Sequence, residues 1–190
     1  NRLDSRLYLI AWDVSQDFAK NWQGTGFKAQ LTAAGKKEAL QLKRLLDEFG
    51  KVSSEVILSG PDDREGDDPT STEETVLRFW RGMMEKYGTE KEYNRAIIES
   101  FKKGVHPEVL IVVDKLLTGF DAPANRVLYI ARSLKEHTLL QAIARVNRLH
   151  RGKDYGLIID YYGVVTELQD ALELYSALDG KFDPEDLDGT

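Results

Sequence analysis

The chain lacks several residue patterns that define common protein classes. It contains no cysteine, which excludes a disulfide framework, a thiolate metal site and a cysteine nucleophile. Its three histidines are scattered and none is spaced with a nearby carboxylate as metal ligands are, so no zinc site is predicted. No apolar run approaches the roughly 18 residues of a membrane helix, and no basic stretch leads into an apolar one as in a signal peptide. We therefore expect a cytoplasmic fragment of a longer protein, with no membrane partner.

Two common nucleotide-binding signatures are also missing. The segment Gly35-Lys36-Lys37 lacks the upstream glycine and the hydroxyl residue of a phosphate-binding loop. The pair in Gly24-Thr25-Gly26 precedes a predicted strand, whereas a dinucleotide fingerprint follows one. If the chain binds a nucleotide, these signatures do not provide the site.

Charge is unevenly distributed along the 190 residues. The net charge is −6, which argues against a dedicated non-specific nucleic-acid binder. However, seven Lys/Arg residues and one acid lie between Arg126 and Lys153, whereas the acidic excess is concentrated in segments 62–74 and 179–188. We interpret the acidic segments as solvated spacers and the basic segment as the place to look for function.

The hydrophobic pattern predicts alternating strands and helices. Val109–Val113 is a continuous apolar run, which is typical of a strand covered on both faces. The pattern therefore predicts an α/β fold, with a parallel β-sheet flanked by helices on both faces. The predicted strands are 27–31, 55–59, 109–113, 127–130 and 156–160, and the predicted helices are 6–22, 36–49, 73–103 with a break near Gly88, 137–149 and 164–178. Functional residues are expected in loops after the carboxyl ends of the strands.

The loop from Asp114 to Pro123 carries the first functional signal. Gly119 would allow close backbone approach to a phosphate or ribose, and Asp121 could accept a hydrogen bond from a ribose hydroxyl or an arginine. Lys115 and Thr118 offer a cation and a hydroxyl for nucleic-acid phosphates. An ordinary strand-to-helix turn explains the same residues.

The predicted helix 137–149 carries the second signal. Gln141, Arg145 and Arg148 are spaced i, i+4 and i+7, so a helix would present them on one face. Such an amide and two guanidinium groups suit the phosphates of a nucleotide. A solvated helix face with arginines near its C-terminus is the alternative.

Together the two signals resemble a known motor family. Residues 118–123 (TGFDAP) resemble motif V of superfamily 2 helicases, and residues 141–148 (QAIARVNR) resemble motif VI, with Ala144 at the glycine position. The longer stretch from Val109 to about Val165 resembles the second motor lobe of the R subunit of type I restriction enzymes.

The resemblance implies a RecA-like helicase lobe over 26–178, with a helical lead-in at 1–25 and an acidic tail at 179–190. ATP and Mg²⁺ would be held mainly by a first lobe that this chain does not contain. Arg148 would then be the arginine finger and Arg145 a second phosphate contact, with Gln141 orienting both. Gly119 and Asp121 would face the nucleotide.

The resemblance also implies partners. The lobe would grip the backbone of double-stranded DNA, and the residues expected to do so are Lys28, Ser59, Gly60, Lys115 and Thr118. Lys28 could equally pair with a carboxylate. The first RecA-like lobe and the nuclease domain of the same full-length chain, and separate methyltransferase and specificity subunits, would complete the enzyme. The isolated chain is expected to be inactive.

Two other classes of function remain open from the residues alone. In the first, the chain is a doubly wound signalling or protein-interaction domain, with Asp114 or Asp160 as phosphoacceptor at a strand end. In the second, it is a scaffold whose acidic loop and tail contact partners. Neither class requires the arrangement of Gln141, Arg145 and Arg148.

Overall fold

The computed structural model describes residues 2–61, 73–113, 122–148 and 150–163. In chain order its elements are α1 (Arg2–Asn21), β1 (Lys28–Thr32), α2 (Lys36–Phe49), β2 (Ser54–Ile57), α3 (Glu74–Tyr87), α4 (Glu90–Lys103), β3 (Val109–Val112), β4 (Asn125–Ile130), α5 (Glu136–Val146) and β5 (Leu157–Asp160). The predicted helix 164–178 and the acidic tail lie outside the described residues.

The five strands form one parallel sheet in the order β2-β3-β1-β4-β5. The α/β prediction is therefore confirmed. Because every pairing is parallel, the carboxyl ends of all five strands meet at one edge of the sheet and the amino ends at the other. We call these the carboxyl edge and the amino edge.

Helices cover both faces of the sheet. The first core cluster joins α1 and α2 to alternate strand residues such as Ile111, and the second joins α4 and α5 to the intervening ones such as Leu110. Neighbouring residues of a strand point to opposite faces, so a strand buried on both faces needs an unbroken apolar sequence. This explains the run in β3, where all four residues are buried.

Two helix boundaries follow local rules. The predicted break near Gly88 is confirmed, because α3 ends at Tyr87 and Gly88 takes a φ of 83°, a conformation that glycine adopts without a steric penalty. The next helix begins after Thr89, whose side chain accepts a hydrogen bond from the Glu92 amide at 3.2 Å.

Helix α1, expected as a lead-in, packs directly on the sheet. Leu7, Ala11, Val14 and Phe18 are all fully buried in the first core cluster. The helix therefore contributes to the same core as the strands. No helix in the described part of the chain combines the length and apolar character needed to cross a membrane.

Candidate functional site

The expected site residues fall into two groups. Lys115, Thr118, Gly119 and Asp121 lie outside the described residues, so their roles stay predictions. The structure does describe the other expected residues, namely Lys28, Ser59, Gly60, Gln141, Arg145 and Arg148.

The predicted stripe of Gln141, Arg145 and Arg148 is only partly formed. Helix α5 ends at Val146, and Arg148 lies beyond the cap residue Asn147, so the predicted helix to residue 149 is too long. Gln141 is only 8% exposed, whereas the two arginines are half-buried. Both arginine residues are thus partly exposed, although the Nε atom of Arg145 is buried, and the Gln141 amide is not part of an exposed face.

Contact with the following strand explains why α5 ends where it does. The Asn147 side-chain oxygen accepts a hydrogen bond from the Gly156 amide at 2.9 Å. A Cβ atom at Gly156 would lie only 2.5 Å from the Val146 carbonyl oxygen, so only glycine allows this close approach. These contacts therefore join the two ends of the loop between α5 and β5, at residues 146–147 and 156.

These contacts place Arg148 at the amino edge. Gly156 directly precedes β5, and α5 runs back across the sheet after β4, so the end of α5 lies beside the amino ends of the strands. The two arginines therefore lie at the opposite edge from the loops that follow the carboxyl ends of the strands, because they lie near the far end of the crossover helix.

The same edge receives the chain as it leaves segment 114–121. Ala122 packs against the second core cluster, to which Leu139 and Val146 of α5 belong. The structure thus brings Ala122, near the end of the predicted motif 118–123, to the same face of the sheet as α5.

A buried lysine connects these two segments. The Lys153 ammonium donates hydrogen bonds to the carbonyl oxygens of Pro123, at 3.1 Å, and Asn125, at 2.7 Å. The side chain is 3% exposed. Burial, together with the nearby positive charge of Arg126, lowers the pKa of Lys153 to about 8.

Arg126, the first cation of the basic segment, is surrounded by aromatic rings. Its guanidinium carbon lies 4.9, 4.6 and 4.5 Å from the ring centres of Trp22, Phe27 and Tyr155, distances at which cation–π attraction is effective. One guanidinium nitrogen also donates to the Gly152 carbonyl at 3.4 Å. Part of the basic segment therefore serves packing.

The structure contradicts the expected contact between Lys28 and DNA. It lies at the amino end of β1, is 5% exposed, and donates from Nζ to the carbonyl oxygens of Val105, at 2.8 Å, and Pro107, at 2.6 Å. Burial lowers the pKa of Lys28, and the Glu108 carboxylate acts in the opposite direction. The ammonium is used inside the protein and is not presented to a phosphate.

Ser59 and Gly60 lie at the carboxyl edge, after β2. Ser59 is buried at 3% exposure, whereas Gly60 is half-buried. Lys36, in the first turn of α2, is fully buried and donates to the Gly60 carbonyl at 2.8 Å. This hydrogen bond fixes the loop after β2 against the start of α2.

Asp160, the alternative phosphoacceptor, is engaged in a turn at the end of β5. Its Oδ1 accepts hydrogen bonds from the amides of Tyr162, at 2.8 Å, and Gly163, at 2.9 Å. No group of three or more His, Cys, Asp or Glu residues in the described segments could hold a metal ion. The described residues around Asp160 therefore offer no magnesium site for phosphoacceptor chemistry.

Sequence reasoning missed the buried cations Lys36 and Lys153. Each lysine directly follows a glycine, in Gly35-Lys36 and Gly152-Lys153. A lysine in such a context is normally expected to be exposed. Their acceptors lie 24 to 30 residues away in the chain. No local pattern carries that information.

Comparison with known families identifies one model that matches most of the chain. The model, described as type I restriction enzyme subunit R domain 3, matches residues 27–163. The match begins just before β1 and ends just after β5, so it covers the whole sheet.

Similar proteins include two restriction enzyme subunits. A Methanocaldococcus jannaschii protein named as the type I restriction enzyme MjaVIIP endonuclease subunit is 33% identical over 183 residues, covering 91% of this chain and 16% of that protein. The type I restriction enzyme HindI endonuclease subunit of Haemophilus influenzae is 30% identical over 189 residues, covering 93% of this chain and 16% of that protein. The chain thus spans about a sixth of the length of these relatives.

A solved structure shares the fold. A fragment named as an HsdR subunit of a type I restriction enzyme from Vibrio vulnificus YJ016 matches with a TM-score of 0.57 and 16% identity. The match covers 88% of this chain and 29% of that fragment. At this identity the likeness supports the architecture and nothing finer.

Proposed function

Since this chain belongs to the family of type I restriction enzyme R subunits, we propose that it is the second RecA-like motor lobe of an ATP-dependent translocase of double-stranded DNA. The observation that carries the proposal is the position of Arg145 and Arg148. Both are partly accessible and lie at the end of α5, on the face of the sheet to which Ala122 returns the chain. The two arginines therefore lie at the end of a helix on the same face of the sheet as Ala122, the first described residue after segment 114–121.

The proposed role of the two arginines is electrostatic. Phosphoryl transfer spreads negative charge over the γ-phosphate oxygens, and an arginine finger there is worth about 10³–10⁵ in rate. Arg148 would contact the transferred group, and Arg145 would make a second phosphate contact. Gln141, being buried, would act by packing beneath the arginines and not by touching the nucleotide.

The described residues fit one part of ATP binding and not another. The two half-buried arginines suit phosphate oxygens, whereas no group of three or more described His, Asp or Glu residues could coordinate Mg²⁺. MgATP, which supplies the transferable phosphoryl group when bound, would be held mainly by the first lobe. Gly119 and Asp121 would contribute the nucleotide-facing loop of this lobe.

DNA contact is proposed for the carboxyl edge. Gly60 is half-buried and its carbonyl accepts a hydrogen bond from the Lys36 ammonium, so its backbone would contact a DNA phosphate. Ser59, which was expected to share this contact, is only 3% exposed and is not presented to a phosphate. Lys115 and Thr118, which follow β3, would contribute to the same grip. A motor that passes over every sequence must contact the phosphate backbone and not base edges.

The remaining partners follow from the family. The first lobe and a nuclease domain would belong to the same full-length chain, and methyltransferase and specificity subunits would assemble with it. In that complex the lobe would be part of an ATP-dependent endonuclease, because cleavage requires a domain outside this chain.

The test is Arg148→Ala in the full-length subunit within the assembled enzyme. We expect loss of DNA-stimulated ATP hydrolysis and translocation by about 10³-fold or more, with an unchanged thermal unfolding midpoint. Arg151→Ala is the matched control, because Arg151 is exposed and lies three residues further along the same loop. Turnover of Arg148→Ala equal to that of the control would refute the finger assignment.

A further inference from the structure

The loop between α5 and β5 is tied to the rest of the amino edge at several points. It is closed by the hydrogen bond from the Gly156 amide to the Asn147 side chain. A second, internal turn joins the Lys153 amide to the His150 carbonyl at 2.8 Å. Arg148, the proposed finger, lies inside this compact loop.

The Lys153 side chain extends from this loop to the segment that precedes β4. Its two acceptors, the carbonyl oxygens of Pro123 and Asn125, belong to the turn that closes through the Asn125 amide and the Ala122 carbonyl at 2.9 Å. The ammonium therefore joins two segments that are 28 to 30 residues apart in sequence.

A lysine is a costly residue for this position if it serves packing alone. Removing an ammonium group from water is unfavourable, and two neutral carbonyl groups compensate only part of the loss. A methionine of similar length would fill the same space without a charge. The presence of a lysine at position 153 is explained if its ammonium group must hold the Pro123 and Asn125 carbonyl groups at fixed positions.

We propose that Lys153 is a positioning residue for ATP hydrolysis, which holds the end of segment 114–123 against the loop that carries Arg148. The inference rests on the proposed function. Through this tie, the loop that carries Arg148 would keep a constant position on the turn 122–125 while the motor lobes open and close. Lys153 does not touch the nucleotide.

Lys153→Met tests the inference, and Lys28→Met is the matched control. Both lysines are about equally buried, and both donate to two backbone carbonyl groups at the amino edge. The Lys28 ammonium, however, holds the segment before β3, and the hydrogen bond from its backbone amide to the Ala124 carbonyl does not depend on the side chain. Any effect of simply removing a buried ammonium should therefore occur in both variants.

The first readout is amide hydrogen exchange in this 190-residue chain without nucleotide. We expect the Asn125 amide to exchange at least about tenfold faster in Lys153→Met, because its turn loses the tie, and to be unchanged in Lys28→Met. Equal exchange at Asn125 in wild type and Lys153→Met would overturn the inference, since the lysine would then anchor nothing.

The second readout is kinetic and uses the full-length subunit in the assembled enzyme. For Lys153→Met we expect kcat for ATP to fall about tenfold or more, since small displacements of catalytic groups are costly, with KM within about twofold. Lys28→Met should keep wild-type kcat once corrected for folded fraction. Equal kcat in the two variants would overturn the positioning role.

Arg148→Ala, assayed in parallel, separates the two ideas. If Arg148→Ala is inactive and Lys153→Met matches Lys28→Met, the positioning role fails while the proposed function stands. If Arg148→Ala keeps wild-type turnover, the finger assignment fails, and with it the link from Lys153 to Arg148, whatever the exchange result.

Discussion

At the scale of single residues, burial has opposite effects on the cationic and phenolic groups of this protein. Lys153 has its pKa lowered to about 8, chiefly by burial. Tyr129 and Tyr161 have theirs raised, chiefly by burial and then by hydrogen bonds to Asp17 and Asp13. In each case the protein interior disfavours the charged form.

The pKa of Lys153 predicts a pH-dependent contribution to stability. Between pH of about 8 and its ordinary value of 10.5, the unfolded chain binds a proton that the native chain has released. Raising the pH through this window therefore favours the native state. The free energy of unfolding of wild type, relative to Lys153→Met, should rise with pH.

Urea unfolding of both proteins at one pH below the window and one inside it measures this difference. Both pH values should stay below about 10, where unfolded tyrosines begin to ionise, because Tyr129 and Tyr161 act in the opposite direction above that point. A difference that is constant or falls with pH would contradict the predicted protonation change.

At the scale of elements, two glycines in different surroundings should respond oppositely to the same substitution. Gly156 lies against the end of α5, where an added Cβ would be 2.5 Å from both the Cγ1 and the carbonyl oxygen of Val146. Gly82 lies within α3, where an added Cβ would meet no atom within 4 Å. Comparing the two substitutions therefore measures the effect of the close contact between Gly156 and Val146 at the end of α5.

We predict that Gly156→Ala lowers the free energy of unfolding by about 1–3 kcal/mol, because a backbone carbonyl cannot move aside cheaply. Gly82→Ala should raise it by about 0.5–1 kcal/mol through the helix preference of alanine. Chemical denaturation measures both values. Equal stability of Gly156→Ala and wild type would mean that the α5–β5 contact is looser than described.

At the scale of the whole molecule, helices cover both faces of the sheet, and Arg145 and Arg148 lie near its amino edge. Among the described residues no group of three or more His, Asp or Glu side chains could hold a metal ion. The net charge of −6 also opposes general attraction to DNA. In the proposed function, the first lobe would complete the nucleotide site and the DNA contacts.

The isolated 190-residue chain should therefore hydrolyse no ATP and bind double-stranded DNA weakly. Because the proposed contacts are to phosphates, affinity should fall steeply as salt is raised and should not depend on base sequence. Steady-state ATPase assays and fluorescence anisotropy with unrelated duplexes over a salt series measure these properties. Robust ATP hydrolysis by this chain would contradict the lobe assignment.

Much of the fold could be predicted because it is recorded in local periodicity. The apolar run of β3, the helical spacing in α2 and the break at Gly88 each reflect neighbours within a few residues. The choice of Arg145 and Arg148 as site residues stays a prediction, which rests on their spacing from Gln141. The prediction that these residues share one helical face was wrong, because α5 ends at Val146, before Arg148. The helix ends where Val146 approaches Gly156 closely, a contact that the spacing of the arginines does not reveal.

What the sequence determined by itself was the α/β class and the positions of the cationic residues along the chain. Only the tertiary structure decided at which edge of the sheet each cation lies and whether it is available. Lys28 and Lys153 are chemically ordinary lysines in the sequence, and each is removed from solvent by carbonyl groups 28 to 79 residues away. The physical reason is that burial and hydrogen bonding depend on which distant segments pack together, and local spacing reports only the faces of single elements.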